Sequence, residues 1–231
     1  MTTAAPIPQV LARVYASCFP TGEAAAHRIR TVHTTQRGEM RSSPHARWIP
    51  FTAEEVAATT HSSFCWTARM DSGKINSATV IDAFDRGHGR LIVKAAGVVP
   101  VKRMSGPELD QGELQRYLAS VSLCPAMLLN HASLECVPND DSSFQLRDRE
   151  DTTGAVVQVS INHTGEMTEI RAERLRIAGK NFILTAWSAS CSDFNEWEGM
   201  RVPSRIQVTW HLPEGPFTYF RGEITHRVAL H

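Results

Sequence analysis

Beyond Asn130 the chain is a succession of strand-like runs: Leu134–Val137, Ser143–Arg147, Val156–Ile161, Met167–Ala172, Phe182–Cys191, Ile206–Leu212 and Phe217–Val228. They are joined by turn-rich pieces such as Asn139-Asp140-Asp141 and His163-Thr164-Gly165-Glu166. Parallel neighbours need a crossover of a dozen or more residues, usually a helix, and no such segment separates most of these runs. The pairing must therefore be antiparallel. A meander of this length curls rather than staying flat.

The first half supplies the rest of the architecture. Ile7, Val10, Leu11, Val14, Tyr15 and Cys18 recur at helical spacing between Pro6, Pro8 and Pro20. Arg28–Glu39 is polar and β-branched, as suits an exposed or lumen-lining strand. Thr52 with Glu55 spells a capping box that predicts a short helix through Val56. Phe64, Trp66, Ala68 and Met70 alternate as a strand. Ala78, Val80, Asp82 and Phe84 lead through Asp85–Arg90 into Leu91, Val93 and Ala95, a hairpin. A second capping box, Asp110 with Glu113, opens a helix whose apolar stripe is Leu114, Tyr117, Leu118 and Val121 and which Pro125 ends. The expected fold is α+β: a curved antiparallel meander of about nine to ten strands, barrel or half-barrel, with a few helices on one face or end. With 231 residues and no repeat or linker, a single domain over 1–231 is expected.

Charge and motifs narrow the function classes. Lys and Arg number 24 against 24 for Asp and Glu, so no excess positive field is available to hold phosphates, and nucleic acid is not an expected partner. Met1–Pro8 lacks the basic and apolar regions of a signal peptide, and no stretch approaches ~18 uninterrupted apolar residues, so the reading is cytoplasmic with no membrane span. The five cysteines are scattered and odd in number, which argues for reduced, mostly buried thiols. Ten histidines occur without H-E-x-x-H, C-x-x-C or a close pair, so no metal is expected. Neither G-x-S-x-G nor a Walker loop is present, Gly87-His88-Gly89 suits a hairpin turn, and no cofactor is implied. Cys124 and His131 lie near each other in sequence, but a thiol beside Leu123 and Pro125 reads as a buried hydrophobe.

Two groups of polar residues share faces with apolar ones. Alternation puts Asp82 on the side of Val80 and Phe84, opposite Val93, where a carboxylate is costly unless paired or put to use. It is either an acid or base, or half of an ion pair with an arginine such as Arg30 or Arg69. In the last hairpin, pairing Leu212 with Phe217 across Pro213-Glu214-Gly215-Pro216 sets Trp210 opposite Tyr219, Val208 opposite Arg221 and Ile206 opposite Glu223. That register lines a cavity with an aromatic wall and a few polar groups; a bulge at Gly222 reverses it and turns Arg221 and Glu223 to solvent. Trp48, Trp66, Trp187 and Trp197 read as core or rim aromatics.

Several segments resemble a bacterial, largely actinobacterial, family of domains of unknown function. They are Arg47-Trp48-Ile49-Pro50-Phe51-Thr52-Ala53-Glu54, Phe64-Cys65-Trp66 with Asp82 and Gly87-His88-Gly89, Gly112-Glu113-Leu114 with Arg116-Tyr117-Leu118-Ala119, and Leu212–Phe217 with Tyr219 and Arg221-Gly222. The resemblance implies no activity. It implies a glutamate where Ser120 stands, a tryptophan at Leu123 and another at Cys136. Losing two indoles where helix meets sheet leaves volume for neighbours or a ligand to fill.

These readings converge on an internal cavity for a hydrophobic small molecule, with Trp66, Tyr117, Ser120, Leu123, Cys136, Trp187 and Trp210 as ligand-binding residues. Asp82, Tyr219, Arg221 and Glu223 are the candidate catalytic groups for a cofactor-independent cyclase or isomerase of specialised metabolism. The alternatives are a non-catalytic carrier of lipid-like molecules and an interaction module with a filled core. Nothing in the sequence specifies an oligomeric state.

Overall fold

The first and last strands meet in the middle of one sheet. In the computed structural model, which describes residues 7–71, 77–95, 99–179 and 181–231, strand β1 (Thr31–Met40) continues into β2 (Ile49–Ala58), β3 (Phe64–Asp71), β4 (Ser77–Asp85), β5 (His88–Ala95) and β6 (Val99–Met104). After a helical stretch come β7 (Leu134–Asp140), β8 (Ser143–Asp148), β9 (Val156–Ile161), β10 (Met167–Ala178), β11 (Asn181–Trp197), β12 (Met200–Leu212) and β13 (Gly215–Leu230). β13 returns to pair antiparallel with β1, from Thr31 opposite Leu230 to Met40 opposite Phe220. The order is β6-β5-β4-β3-β2-β1-β13-β12-β11-β10-β9-β8-β7. The expected antiparallel meander is present, but it has 13 strands rather than nine or ten.

The helices force the sheet to curl. Helix α1 (Gln9–Cys18) packs on β7, β8 and β12, while α2 (Pro107–Ala119) touches β4 and β5 of one arm and β9 and β10 of the other. In a flat sheet β5 and β9 would stand nine strand spacings apart, on the order of 40 Å at ~4.8 Å per strand. A helix with its side chains is ~10–12 Å across, so both arms must wrap around it. A turn at Ser120–Ser122 and helix α3 (Met127–Asn130) complete the link between β6 and β7, which remain the free edges of a half-barrel.

By register, the turns after β1, β3, β5, β10 and β12 lie at one end of the trough, and those after β2, β4 and β11 at the other. The second end is filled. Val14, Tyr117, Leu118, Met127, Phe144 and Ile170 are fully buried there or beside it, in one continuous apolar cluster.

Several local expectations are corrected. The capping box at Thr52 does not start a helix: Phe51, Ala53, Glu55 and Ala57 point inward from β2 while Thr52, Glu54 and Val56 point out. Pairing with β1 and β3 on both sides overrides the helical preference of this alanine- and glutamate-rich stretch. The second box is not a cap either. α2 begins at Pro107, Asp110 accepts a hydrogen bond from the Gly89 N–H at 2.7 Å, and Glu113 is buried mid-helix. The helix ends at Ala119, before Pro125. Strand β6 was not legible in the sequence reading, and Pro6, expected to punctuate α1, lies outside the described residues.

The β4–β5 turn is two residues, Arg86 and Gly87, both at positive φ (50° and 82°), which is the hairpin geometry that twisted strands favour. Asp82 consequently faces Leu91 rather than Val93. In the β12–β13 hairpin Leu212 pairs with Gly215, and the register slips between Val208 and Thr209, leaving Tyr219 without a directly opposed partner. Trp210 therefore faces Phe217, Gln207 faces Arg221 and Arg205 faces Glu223.

α2 approaches β5 at Gly89. A Cβ there would stand 2.6 Å from the Leu109 carbonyl oxygen, main-chain density that moves only if the helix moves. Gly89→Ala is expected to destabilise the fold by ~1–3 kcal/mol, a drop in Tm of roughly 2–4 °C for each kcal/mol. An unchanged Tm in thermal unfolding would contradict this seating of α2.

Candidate functional site

Between α2 and the concave face of the sheet lies a cavity of about 570 Å³. Toward it point Glu113 and Arg116 of α2 and Ser120 of the turn that follows, at spacing i, i+3, i+7. The facing strands bring a row of directly opposed inward residues: Thr34 beside Glu55, Glu55 beside Trp66, Trp66 beside Asp82, Asp82 beside Leu91.

Arg116 ties helix to row. Its Nη1 donates to Asp82 Oδ2 at 2.8 Å and its Nη2 to Glu55 Oε2 at 3.2 Å. The guanidinium lies 4.5 Å from the Phe64 ring centre and 5.2 Å from that of Trp66. Gln36 extends the network, donating to Glu55 Oε2 at 3.3 Å and accepting from Trp66 Nε1 at 3.1 Å. Across the cavity Arg174 of β10 donates to the Gly112 carbonyl at 2.5 Å and covers the Trp187 ring at 4.8 Å. Trp187 Nε1 in turn donates to the Tyr219 hydroxyl at 3.2 Å, and Tyr219 stacks on Trp210.

Burial shifts the titration of Glu55, Glu113, Arg116 and Tyr219. Burial pushes Glu55 up, against the opposing pull of Arg116 and the hydrogen bond from Gln36. Burial, reinforced by the negative charge of Asp82, pushes Glu113 well above the ordinary carboxylate value despite Arg174 and Arg116. Burial works against the charge on Arg116, but Asp82, Glu55 and Glu113 outweigh it and raise its pKa. Tyr219 is also raised, by burial first. Asp82 Oδ1 and Glu113 Oε2 are buried without a hydrogen-bond partner among the described residues. The proton on Glu113 is favoured further by its side-chain hydrogen bond with Asp82.

Of the residues singled out in the sequence, Asp82, Tyr219, Trp66, Ser120, Leu123, Trp187 and Trp210 line this cavity. The partner of Asp82 is Arg116, not Arg30 or Arg69. Arg221 and Glu223 do not enter it: the shifted register turns them to the outer face, where Arg221 pairs with Glu39 at 3.3 Å and Glu223 with Arg37 at 2.9 Å. Tyr117 is fully buried behind the cavity, its hydroxyl donating to the Ala58 carbonyl. Cys136 lies on β7, outside the lining, its thiol pushed up to about 12 by burial. Cys124 is likewise held near 12 by burial, a thiol without nucleophilic character. His131 bonds Ser62 (3.2 Å) and Ser133 (3.3 Å) instead of a thiol. Among the described residues no cluster of His, Cys, Asp and Glu is arranged to hold a metal.

Glu55, Glu113, Arg116, Arg174 and Gln36 were missed. Glu55 and Glu113 were absorbed into capping boxes, and Arg174 meets α2 across 62 residues of sequence. The available signal was the Glu113, Arg116, Ser120 stripe beside the apolar one.

The DUF6920 family, a family of unknown function, matches residues 5–227. A DUF1329 family protein from Desulfovibrio piger superposes with a TM-score of 0.53 at 9% identity, over 96% of this chain and 94% of that one. A LolA superfamily protein from Nitrosomonas europaea gives 0.44 at 12% identity over 99% and 95%. A putative outer membrane lipoprotein-sorting protein domain from Vibrio parahaemolyticus gives 0.43 at 6% identity over 93% of each chain. The first shares the fold and no more; the other two superpose too loosely to bear on fold or function. No curated protein matches the chain.

Because Glu113 is raised in the fold above its ordinary 4.5, its protonation stabilises the folded state. That contribution is complete below about pH 4.5 and is lost as pH rises through the raised value. Glu113→Gln fixes the neutral form, so its stability should decline less than the parent's as pH rises above 4.5, by on the order of 1 kcal/mol for each pH unit by which the carboxyl is raised. Melting curves that run parallel at every pH would contradict the assignment.

Proposed function

We propose that this chain, which belongs to the DUF6920 family, binds a hydrophobic small molecule in the cavity between α2 and the sheet. The observation that carries the reading is the hollow itself. Its volume of about 570 Å³ sits inside the ~300–1,000 Å³ usual for small-molecule sites. Ile206, Val208, Trp210, Phe217 and Leu123 offer an apolar wall, and Asp82, Glu113, Arg174 and Tyr219 converge at the polar side. An apolar body would lie along the aromatic wall. A polar group would reach Arg174, whose Nε has no partner and beside which no carboxylate lies within ion-pair distance among the described residues.

A catalytic reading rests on the Asp82 and Glu113 pair. A carboxyl that retains its proton beside an apolar chamber is a general acid, and Asp82 beside it a base for the same proton. Such a pair suits a cofactor-independent cyclisation or isomerisation, with Tyr219 orienting the substrate. Arg221 and Glu223 have no part in it, since they face outward. A carrier would need the chamber without the proton-sharing pair.

The test uses Leu123, which lines the cavity. Leu123→Trp places an indole in the hollow while leaving the Arg116 network intact. Organic extraction and mass spectrometry of the purified protein should yield an apolar compound from the parent and at least tenfold less from the variant, with Tm unchanged or higher. Empty extracts from the parent, or equal yields from both proteins, would remove the reading. Once a compound is identified, Asp82→Asn with Glu113→Gln separates the alternatives: turnover is lost in an enzyme, and binding persists in a carrier.

A further inference from the structure

Two hairpins at the open end of the trough expose large apolar residues. One joins β5 to β6, the other β10 to β11, and α2 packs on β5 and on β10, so the pair flanks the helix from opposite arms. Val99 and Val101 are 58% and 62% exposed on the first hairpin; Ile183 and Leu184 are 48% and 59% exposed on the second, with Ile177 and Phe182 beside them. The second hairpin also projects. The β11 ladder to β12 begins at Trp187, leaving the described residues from Asn181 to Ala186 paired with β10 alone. An exposed apolar stretch on unpaired strand is an aggregation liability unless something covers it.

The charge on these hairpins is one-sided. Segments 91–104 and 174–185 contain no Asp or Glu, in a chain where acids and bases balance at 24 each. Lys94, Lys102, Arg103 and Arg176 stand among the exposed apolar residues, and Lys180, outside the described residues, falls in the same sequence stretch. Apolar side chains interleaved with cations and free of acids match the surface of a bilayer with anionic headgroups, where the cations meet the phosphates and the apolar tips enter the headgroup layer.

We propose that the β5–β6 and β10–β11 hairpins dock on an anionic lipid bilayer. Docking there presents the mouth of the cavity to the membrane, since Ile177 and Phe182 also line it. The contact is peripheral; no described helix is long and apolar enough to cross a membrane.

The experiment is co-sedimentation of the full chain with vesicles of phosphatidylcholine alone or mixed with phosphatidylglycerol. Binding should require phosphatidylglycerol and weaken as salt is raised. Lys94→Gln with Lys102→Gln should weaken it roughly 30-fold, at about 1 kcal/mol for each cation. Ile183→Asp with Leu184→Asp should reduce it at least tenfold. Neither Ile183 nor Leu184 lines the cavity, so extracted ligand should be unaffected by that pair, which keeps this test separate from the fate of the cavity reading. No binding to the mixed vesicles, equal binding to the neutral ones, or a dimer that the aspartate variants dissolve in place of vesicle binding would each overturn the proposal.

Discussion

The half-barrel is organised around one buried cation. Arg116 on α2 pairs with both Asp82 of β4 and Glu55 of β2. None of the three is tolerable alone, because an uncompensated charge in such a place costs ~3–5 kcal/mol. The opposite arm is tied to the same helix by the bond from Arg174 to the Gly112 carbonyl, and β5 by the bond from the Gly89 N–H to Asp110. α2 is thus fastened to both arms by polar contacts spread along its length. These hold a helix inside a curled sheet at a fixed standoff, where apolar packing alone would draw the walls together. The hollow is the space left between those fastenings.

The seam where β1 meets β13 sets the shape of the far wall. Gly38 and Gly222 pair directly across it, and a Cβ on Gly38 would collide with the Arg221 main chain. Without side chains at that spot, Phe51 and Phe220 stack 5.2 Å apart and Trp66 packs edge-on against Phe51. The indole N–H of Trp66 reaches Gln36, which reaches Glu55, so the aromatic wall and the charge cluster are parts of one network.

The architecture was legible where the chain obeys local rules. Antiparallel strands follow from short turns, and the 3.6-residue stripe of α2 from Leu114, Tyr117 and Leu118. Two strands escaped the sequence because Ile49–Ala58 has the composition of a helix and the pairing of a strand, and because Val99–Met104 has one partner strand and no inward face. The site was half legible. Asp82, Trp66, Trp187, Trp210 and Tyr219 could be placed by alternation, while the slip between Val208 and Thr209 leaves no trace in sequence and reversed Arg221 and Glu223. Glu55 and Glu113 were hidden by a motif whose residues are equally apt for capping and for burial. Arg174 belongs to a contact between distant segments, which periodicity cannot reveal. Net charge misled in a further way: a balance of 24 to 24 conceals acid-free stretches.

The claim on which the chemistry of the site depends is that the Glu113 carboxyl keeps its proton to a higher pH than an ordinary carboxyl. Infrared difference spectroscopy between the parent and Glu113→Gln, followed as the pH is raised above 4.5, observes that proton directly. The account predicts the carbonyl stretch of an un-ionised carboxylic acid in the parent, absent from the variant. A parent spectrum showing ionised carboxylates alone would contradict it.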